Sequence, residues 1–425
     1  MIKSFIFENF KSFEEAKFEL EQLTILIGTN AAGKTNAIEG IKILSEIATG
    51  RDFSIILDGS KNMDSDIRGG SKGCCKFNTT YFTLGCIVDV DLDNDLEYRI
   101  TIKVADRIYV EEESLNLLDK ENNKHLIFKT KRNTNKDSGD IKVEYNNARR
   151  GKNPDFTCIR YAAILPQIVN KLPQDIENYD ETISYIKLVI NDLRNMLFLN
   201  PIPSEMRDYS RITDSELRPN ADNLSSVLYK ICQNEEDKEK ILNIIKQLPE
   251  NDVIGIDFIK TQLNDVMFRI KETYGNRAEH IEAKRLSDGT IRCIAVIASI
   301  INQEKGSTVI IEEVDNGIHP SRAKSLIDAI SSLAKERNID VIITTHNSAL
   351  LNAVSKEDIM GISICYRDEE SGSSKFMPFL DINKYPSLLV HGGIGDLVIS
   401  EELLNTIKDK KKENNTDNYS WLEVN

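Results

Sequence analysis

The first eighteen residues, MIKSFIFENFKSFEEAKF, alternate apolar and polar side chains, which is the period-two pattern of half-buried strands. Asn9-Phe10-Lys11-Ser12-Phe13 reads as the turn between two such strands. A largely apolar run from Leu23 to Ile27 predicts a short buried strand, and helical spacing then runs from Asn36 to Ala48. Residues 50 to 72, rich in Gly, Asp, Ser and Lys, predict an irregular loop. From about Cys75 to Tyr145 the period returns to two. FTLGCIVDVDL, DLEYRITIKVA, RIYVEEESLNLL, KHLIFKT and DIKVEY are short alternating segments parted by polar turns, the pattern of an antiparallel meander.

Residues 158 to 275 read as mainly helical. ETISYIKLVINDLRNMLFL and NLSSVLYKICQNEEDKEKILNIIKQL carry apolar positions at helical spacing, and a Pro-broken segment from Asn200 to Tyr209 lies between them. No heptad pattern is sustained, so a compact helical lobe is expected and a long coiled coil is not. From 276 to 366 strands and helices alternate. A helix follows Leu286, a strand spans Val309 to Ile311, a helix about Ser321 to Arg337, and a strand Val341 to Thr344. Beyond Gly361 a strand or two, a Gly-rich turn at 392 to 395 and a helix from about Ile399 are expected, then a flexible tail over 406–425.

Composition narrows the class. A chain of 425 residues has room for two or three structural units, and 40% hydrophobic with 29% charged residues is the balance of a soluble globular protein. No run of about 18 apolar residues occurs, so no membrane span is expected. The N-terminal stretch carries acids and no small-residue cleavage site, so it reads as strands and not as a signal peptide. Seven cysteines without a C-x-x-C pair fit a reducing, cytoplasmic setting better than a disulfide framework or a zinc site. The net charge of −14 disfavours indiscriminate adhesion to nucleic acid. Residues 129 to 152 nevertheless hold eight Lys/Arg against three acids. Lys129, Lys131, Arg132, Arg149, Arg150 and Lys152 are candidate DNA or RNA contacts, with a solvated hairpin tip as the alternative.

The chemistry begins at Gly28-Thr-Asn-Ala-Ala-Gly-Lys34-Thr35, which fits G-x-x-x-x-G-K-[ST] between a predicted strand and a predicted helix. Such a loop wraps a phosphate in backbone N–H groups at the positive end of the helix. Asn30, Gly33, Lys34, Thr35 and Asn36 are therefore the nucleotide-binding candidates, with the Thr35 hydroxyl on Mg²⁺. A second stretch, Ser307-Thr-Val-Ile-Ile-Glu312-Glu313, ends an apolar strand in two carboxylates. Glu312 can hold the cation and Glu313 can polarise the water that attacks a γ-phosphate. Leu286-Ser287-Asp288-Gly289 precedes an apolar helix, with Ser287 a plausible N-cap and Gly289 allowing close backbone approach, so it is a second helix N-terminus suited to an anion. Val341-Ile-Ile-Thr-Thr-His346 is a strand ending in a polar turn.

Taken in order, P-loop, L-S-x-G, strand-Glu-Glu with a following Asp, and strand-T-T-H resemble the nucleotide-binding domain of ABC-type ATPases. Ile6-x-Glu-Asn9-Phe-Lys-Ser-Phe13, Ile311-Glu-Glu-Val-Asp-Asn-Gly-Ile-His319-Pro320, Pro203-x-x-Met206-Arg207 and Asp222-Asn223-Leu224 are more similar to the RecF- and SMC-like branch and to OLD-type ATPases of bacterial anti-phage systems, such as Septu and PARIS ATPase subunits. The resemblance implies an α/β ATPase head over 1–48 and 276–405, a β-rich insertion over 49–157 and a helical lobe over 158–275. It implies ATP and Mg²⁺ as cofactors, Glu313 and His346 as catalytic residues, and Ser287, Gly289 and Asp315 as contacts to the nucleotide of a partner subunit. Gln167, in Ile-Leu-Pro-Gln, is the candidate for the glutamine that touches nucleotide and metal.

The signature departs from the transporter form LSGGQ at Asp288 and Thr290, the P-loop carries Ala31 where many relatives have glycine, and Glu312 stands where the wider class has Asp. The resemblance further implies an ATP-dependent homodimer, or a higher assembly of dimers, that controls a separately encoded effector such as a nuclease or toxin. A RecF-type repair ATPase is the alternative. A transporter motor is disfavoured by the signature and the insertions, and a self-sufficient nuclease by the lack of an evident D-x-D metal pair after His346.

Overall fold

The computed structural model describes residues 1–60, 65–132, 138–247, 253–274, 277–382 and 393–399. The expected flexible tail, Lys136 and Gly392 lie outside the described residues. Three strands open the chain, β1 (Ile2–Phe10), β2 (Phe13–Glu19) and β3 (Leu23–Ile27), and α1 (Lys34–Ile47) follows the P-loop. The segment expected to be irregular holds two short helices, α2 (Phe53–Asp58) and α3 (Gly70–Cys74). Polar side chains make these helices possible: Asp52 accepts the Ser54 N–H at 2.8 Å and Asp58 the Ser71 N–H at 2.7 Å. The meander follows as predicted, with β4 (Tyr81–Asp89), β5 (Asp95–Val104), β6 (Ile108–Leu118), β7 (Lys124–Thr130) and β8 (Asp140–Tyr145), and a further strand that was not expected, β9 (Asp155–Ile159), extends it.

Next come α4 (Ile164–Ile168), α5 (Tyr179–Arg194), β10 (Met196–Leu199), α6 (Pro203–Met206), β11 (Ser210–Arg211), α7 (Leu224–Ile231) and α8 (Glu235–Lys246). The expectation of a mainly helical lobe fails beyond this point. β12 (Val253–Lys260), β13 (Asp265–Tyr274) and β14 (Arg277–Glu282) form an antiparallel meander, and β11 shares with β14 the edge of β13 opposite β12. Val266, Phe268 and Ile270 are buried at period two, a strand signal masked by the strongly helical stretch before it. The last part holds α9 (Asp288–Asn302), β15 (Thr308–Ile311), α10 (Ala323–Arg337), β16 (Asp340–Thr344), α11 (Ser348–Asn352), β17 (Ile362–Arg367), β18 (Ser374–Pro378) and α12 (Ile394–Ile399). The longest described helix is α5, at 16 residues, and no described helix is long and apolar enough to cross a membrane.

These elements cluster into two compact units. The first comprises Met1–Leu20, Thr29–Met196 and Cys365–Phe376. Its strands run β2-β1-β4-β5-β6-β7-β8-β9, with Ser374 of β18 paired in parallel with Phe13 of β2. Phe7, Phe10, Phe13 and Phe82 are fully buried, with Phe7 and Phe13 stacked at 5.1 Å and Phe10 and Phe82 tilted, their centroids 5.5 Å apart. Burial of each such ring contributes about 1.5–3 kcal/mol.

The second unit comprises Glu21–Gly28, Leu197–Ile364 and the described residues from Met377 onward. Its main strand order is β10-β15-β16-β3-β17, and the pairs β15–β16, β16–β3 and β3–β17 are parallel. Val309 to Ile311 and Val341 to Ile343 are buried on both faces, which explains their unbroken apolar character. Parallel strands share one carboxyl edge. Gly28 after β3, Glu312–Glu313 after β15 and Thr345–His346 after β16 therefore leave the sheet at the same edge.

Candidate nucleotide site

In the first unit the P-loop is tied down by residues remote in sequence. Gly33 has φ +126°, and a Cβ there would stand 2.6 Å from the Ser374 hydroxyl oxygen, so only glycine fits. The Ser374 hydroxyl donates to the Ala32 carbonyl, and its backbone N–H donates to the Ser12 carbonyl at 2.8 Å. Ser374 and Ser12 also share a hydroxyl–hydroxyl bond at 2.8 Å, and the Asn36 amide donates to the Ser12 hydroxyl at 2.8 Å. Arg367 donates from Nε to the Ala31 carbonyl at 3.2 Å. The Cys365 thiol lies 3.4 Å from the Ala32 carbonyl, and burial pushes it up to about 12, which keeps it a neutral donor. Lys34 is buried and donates to the Thr29 carbonyl at 3.0 Å, while Asn30 is exposed and Thr35 half-buried. Ala31 has φ +62°, the left-handed region that favours the glycine of many relatives. Ser12, Ser374 and Arg367 were missed from sequence. The Asn9–Phe13 turn pointed towards Ser12 without giving it a task, and nothing local marks the β17–β18 hairpin.

Lys11, from the same turn, lies 2.6 Å from Glu39 of α1, and Arg68 donates to Glu39 at 2.8 Å. Burial alone would raise the Glu39 carboxyl, but the bonds from Arg68 and Lys11 hold it below the usual carboxylate range.

In the second unit the turn after β15 is held by the end of β16. The Thr344 hydroxyl accepts the Glu313 N–H at 2.9 Å and its carbonyl accepts the Val314 N–H at 3.2 Å. Glu313 has φ +48° and an exposed side chain, with the Asn316 amide 3.4 Å from its carboxylate. Glu312 is half-buried and His346 exposed. Asp315 presents a buried carboxylate oxygen with no hydrogen-bond partner among the described residues.

Ser287 caps α9 as expected, accepting the Thr290 N–H at 3.2 Å. Gly289 does permit a close approach, but of this chain's own backbone: a Cβ there would lie 2.5 Å from the Gly317 carbonyl, so packing already accounts for the glycine. Asp288 is paired with Arg207 at 2.5 Å, and Arg322 donates to the Thr290 hydroxyl at 2.9 Å.

Gln167 sits in α4, where its carbonyl oxygen accepts the Ile159 N–H at 3.0 Å and its amide donates to the carbonyls of Ile159 at 2.8 Å and Ala163 at 3.0 Å. Through these bonds the side chain joins β9 to α4. The basic loop is also less basic than its composition. Lys131 pairs with Asp155 at 2.6 Å and Glu144 at 3.8 Å, Lys142 lies 3.6 Å from Asp155, and Arg149 donates to the Asp175 carbonyl at 3.4 Å. Lys129 and Arg132 line a polar cavity of about 620 Å³ with Arg99, Thr101 and Glu112.

The chain belongs to the family described as "AAA domain, putative AbiEii toxin, Type IV TA system", whose profile matches residues 23–352. It is an ATPase of that class. A relative from Helicobacter pylori (strain ATCC 700392 / 26695), named "ATP/GTP phosphatase", is 22% identical over 366 residues, covering 84% of this chain and 88% of its own length. Among solved structures, an Smc head bound to the C-winged helix domain of ScpA is 14% identical over 88% of this chain and 97% of that one, with a TM-score of 0.47. The SMC head domain from Thermotoga maritima is 14% identical over 89% of this chain and 98% of that one, with a TM-score of 0.39.

Proposed function

We propose that this chain is an ATP-driven switch: two copies close around ATP, hydrolysis separates them, and the closed state controls a separately encoded effector in anti-phage defence. The observation that carries the chemical half is the shared carboxyl edge of β3, β15 and β16, where Gly28, Glu312–Glu313 and Thr345–His346 emerge together. A γ-phosphate gripped by two subunits couples nucleotide binding to association.

In this reading Lys34 and the P-loop amides, with Asn30, Gly33 and Asn36, bind the phosphates, and Asn36 is oriented by Ser12. The Thr35 hydroxyl and the Glu312 carboxylate are hard oxygen donors. They suit Mg²⁺, which takes one or two protein oxygens and completes its shell with phosphate and water. Bound there, the cation neutralises charge on the phosphates. Glu313 orients and deprotonates the attacking water, and His346 reads the γ-phosphate. Ser287, at the N-terminus of α9, and Asp315 serve the nucleotide of the second copy.

The family description, which names a toxin–antitoxin system, supports an effector-linked role. A RecF-type role in DNA repair shares the same chemistry and differs in partner, and Lys129 and Arg132 are the nucleic-acid contacts that either reading can use. The discriminating experiment is affinity capture with Glu313→Gln, alongside ATPase assays with and without DNA. Recovery of a nuclease or toxin supports the defence reading. DNA stimulation without such a partner supports repair, and co-purification with a membrane protein contradicts both.

A further inference from the structure

The signature turn is gripped by a segment that contains no nucleotide motif. Arg207, just after α6, donates from one guanidinium nitrogen to the Leu286 carbonyl at 2.8 Å and to the Asp288 carboxylate at 2.5 Å, bracketing Ser287 on both sides. Lys284 lies 3.4 Å from Asp208 and 5.6 Å from the centre of the Tyr209 ring. The same segment is tied into the lobe behind it: Ser225 of α7 donates to the Asp208 carbonyl at 3.3 Å, and the Ser210 hydroxyl accepts the Ser226 N–H at 2.9 Å. Ser225 also accepts the Phe268 N–H of β13 at 3.3 Å.

We propose that Arg207 is the positioning residue of the signature turn, and that it conveys the state of the 203–226 segment to Ser287. Two effects follow from its placement. The guanidinium holds the Leu286 carbonyl before Ser287 and the Asp288 carboxylate after it, which sets the direction of the α9 N-terminus. It also neutralises Asp288, whose bare carboxylate would repel a triphosphate arriving from a second copy. A partner that pulls Arg207 away therefore weakens closure without touching the nucleotide. This inference rests on the proposed function, since it concerns how that closure is gated.

The test uses the full chain carrying Glu313→Gln and compares it with versions that add Arg207→Ala, Asp288→Asn, or both. Loss of a charge-assisted bond is expected to raise the ATP concentration needed for half-association by about ten-fold in Arg207→Ala. Binding of a fluorescent ATP analogue, measured at a chain concentration too low for association, stays unchanged. Removing the stranded carboxylate in the double variant brings association back to within roughly three-fold of Asp288→Asn alone, a coupling that a merely destabilised protein does not show. If Arg207→Ala does not fold, Arg207→Met, which keeps the apolar stem but removes both bonds and the charge, takes its place. Association at the parent's ATP concentration, or a double variant no better than Arg207→Ala, overturns the latch. Failure of the Glu313→Gln parent to associate at all overturns the proposed function instead.

Discussion

The Thr344 hydroxyl accepts the backbone N–H of Glu313 at 2.9 Å, so the last residue of one parallel strand fixes the turn that follows its neighbour. Glu313 is held at φ +48°, a conformation costly for a residue with a Cβ. Thr344→Val keeps the shape and removes the acceptor. It should cost about 1 kcal/mol of stability and lower ATP turnover by about ten-fold. Nucleotide affinity should stay constant, which equilibrium binding with a fluorescent ATP analogue checks.

Ala31 is the second strained position on the nucleotide side, at φ +62°. Ala31→Gly releases roughly 1–2 kcal/mol of left-handed strain and gives back about 0.4–1 kcal/mol in unfolded-chain entropy. Thermal denaturation should show a variant as stable as the parent or slightly more so. A clear loss would mean that the methyl group is needed.

The Lys11–Glu39 pair is buried, with both side chains about 8% exposed. Lys11→Met leaves Glu39 with Arg68 alone, and a broken buried pair costs roughly 3–5 kcal/mol. Denaturant unfolding of Lys11→Met and of the double variant Lys11→Met/Glu39→Leu separates the two causes. The double variant should recover most of the loss.

Glu113 of β6 supplies a pH dependence. Its fully buried carboxyl accepts the N–H groups of Ile164 and Leu165, both at 2.7 Å, and the Tyr98 hydroxyl at 3.0 Å. Burial outweighs these bonds and pushes the carboxyl up to about 7 from an ordinary 4.5. Between those values the folded chain holds a proton that the unfolded chain has released, so stability falls as pH rises through that window, by roughly 3 kcal/mol in all. Glu113→Gln should flatten that part of the stability–pH curve.

Much of the fold could be read from hydrophobic period. The β4–β8 meander and the strand–loop–helix at the P-loop follow directly from it, as do the strands that end in Glu312–Glu313 and Thr345–His346. Residues 253–274 form strands although the sequence pattern predicts helix, because a short period-two stretch follows strongly helical sequence and its strand partners decide the outcome. The support of the site was not legible. Ser374 reaches Ala32 across 342 positions, and Arg367 reaches Ala31 across 336, so no local pattern could announce them. Gln167 shows that residue type alone does not reveal a side chain's neighbours: its amide completes a β9–α4 junction.

The central claim is that ATP brings two copies together, and the mass of Glu313→Gln in solution tests it most directly. By light scattering after gel filtration, the variant should be a dimer, or an assembly of dimers, in Mg-ATP and should dissociate in ADP. Lys34→Ala should stay dissociated in both. A mass for Glu313→Gln that is the same with ATP, with ADP and without nucleotide would contradict the account.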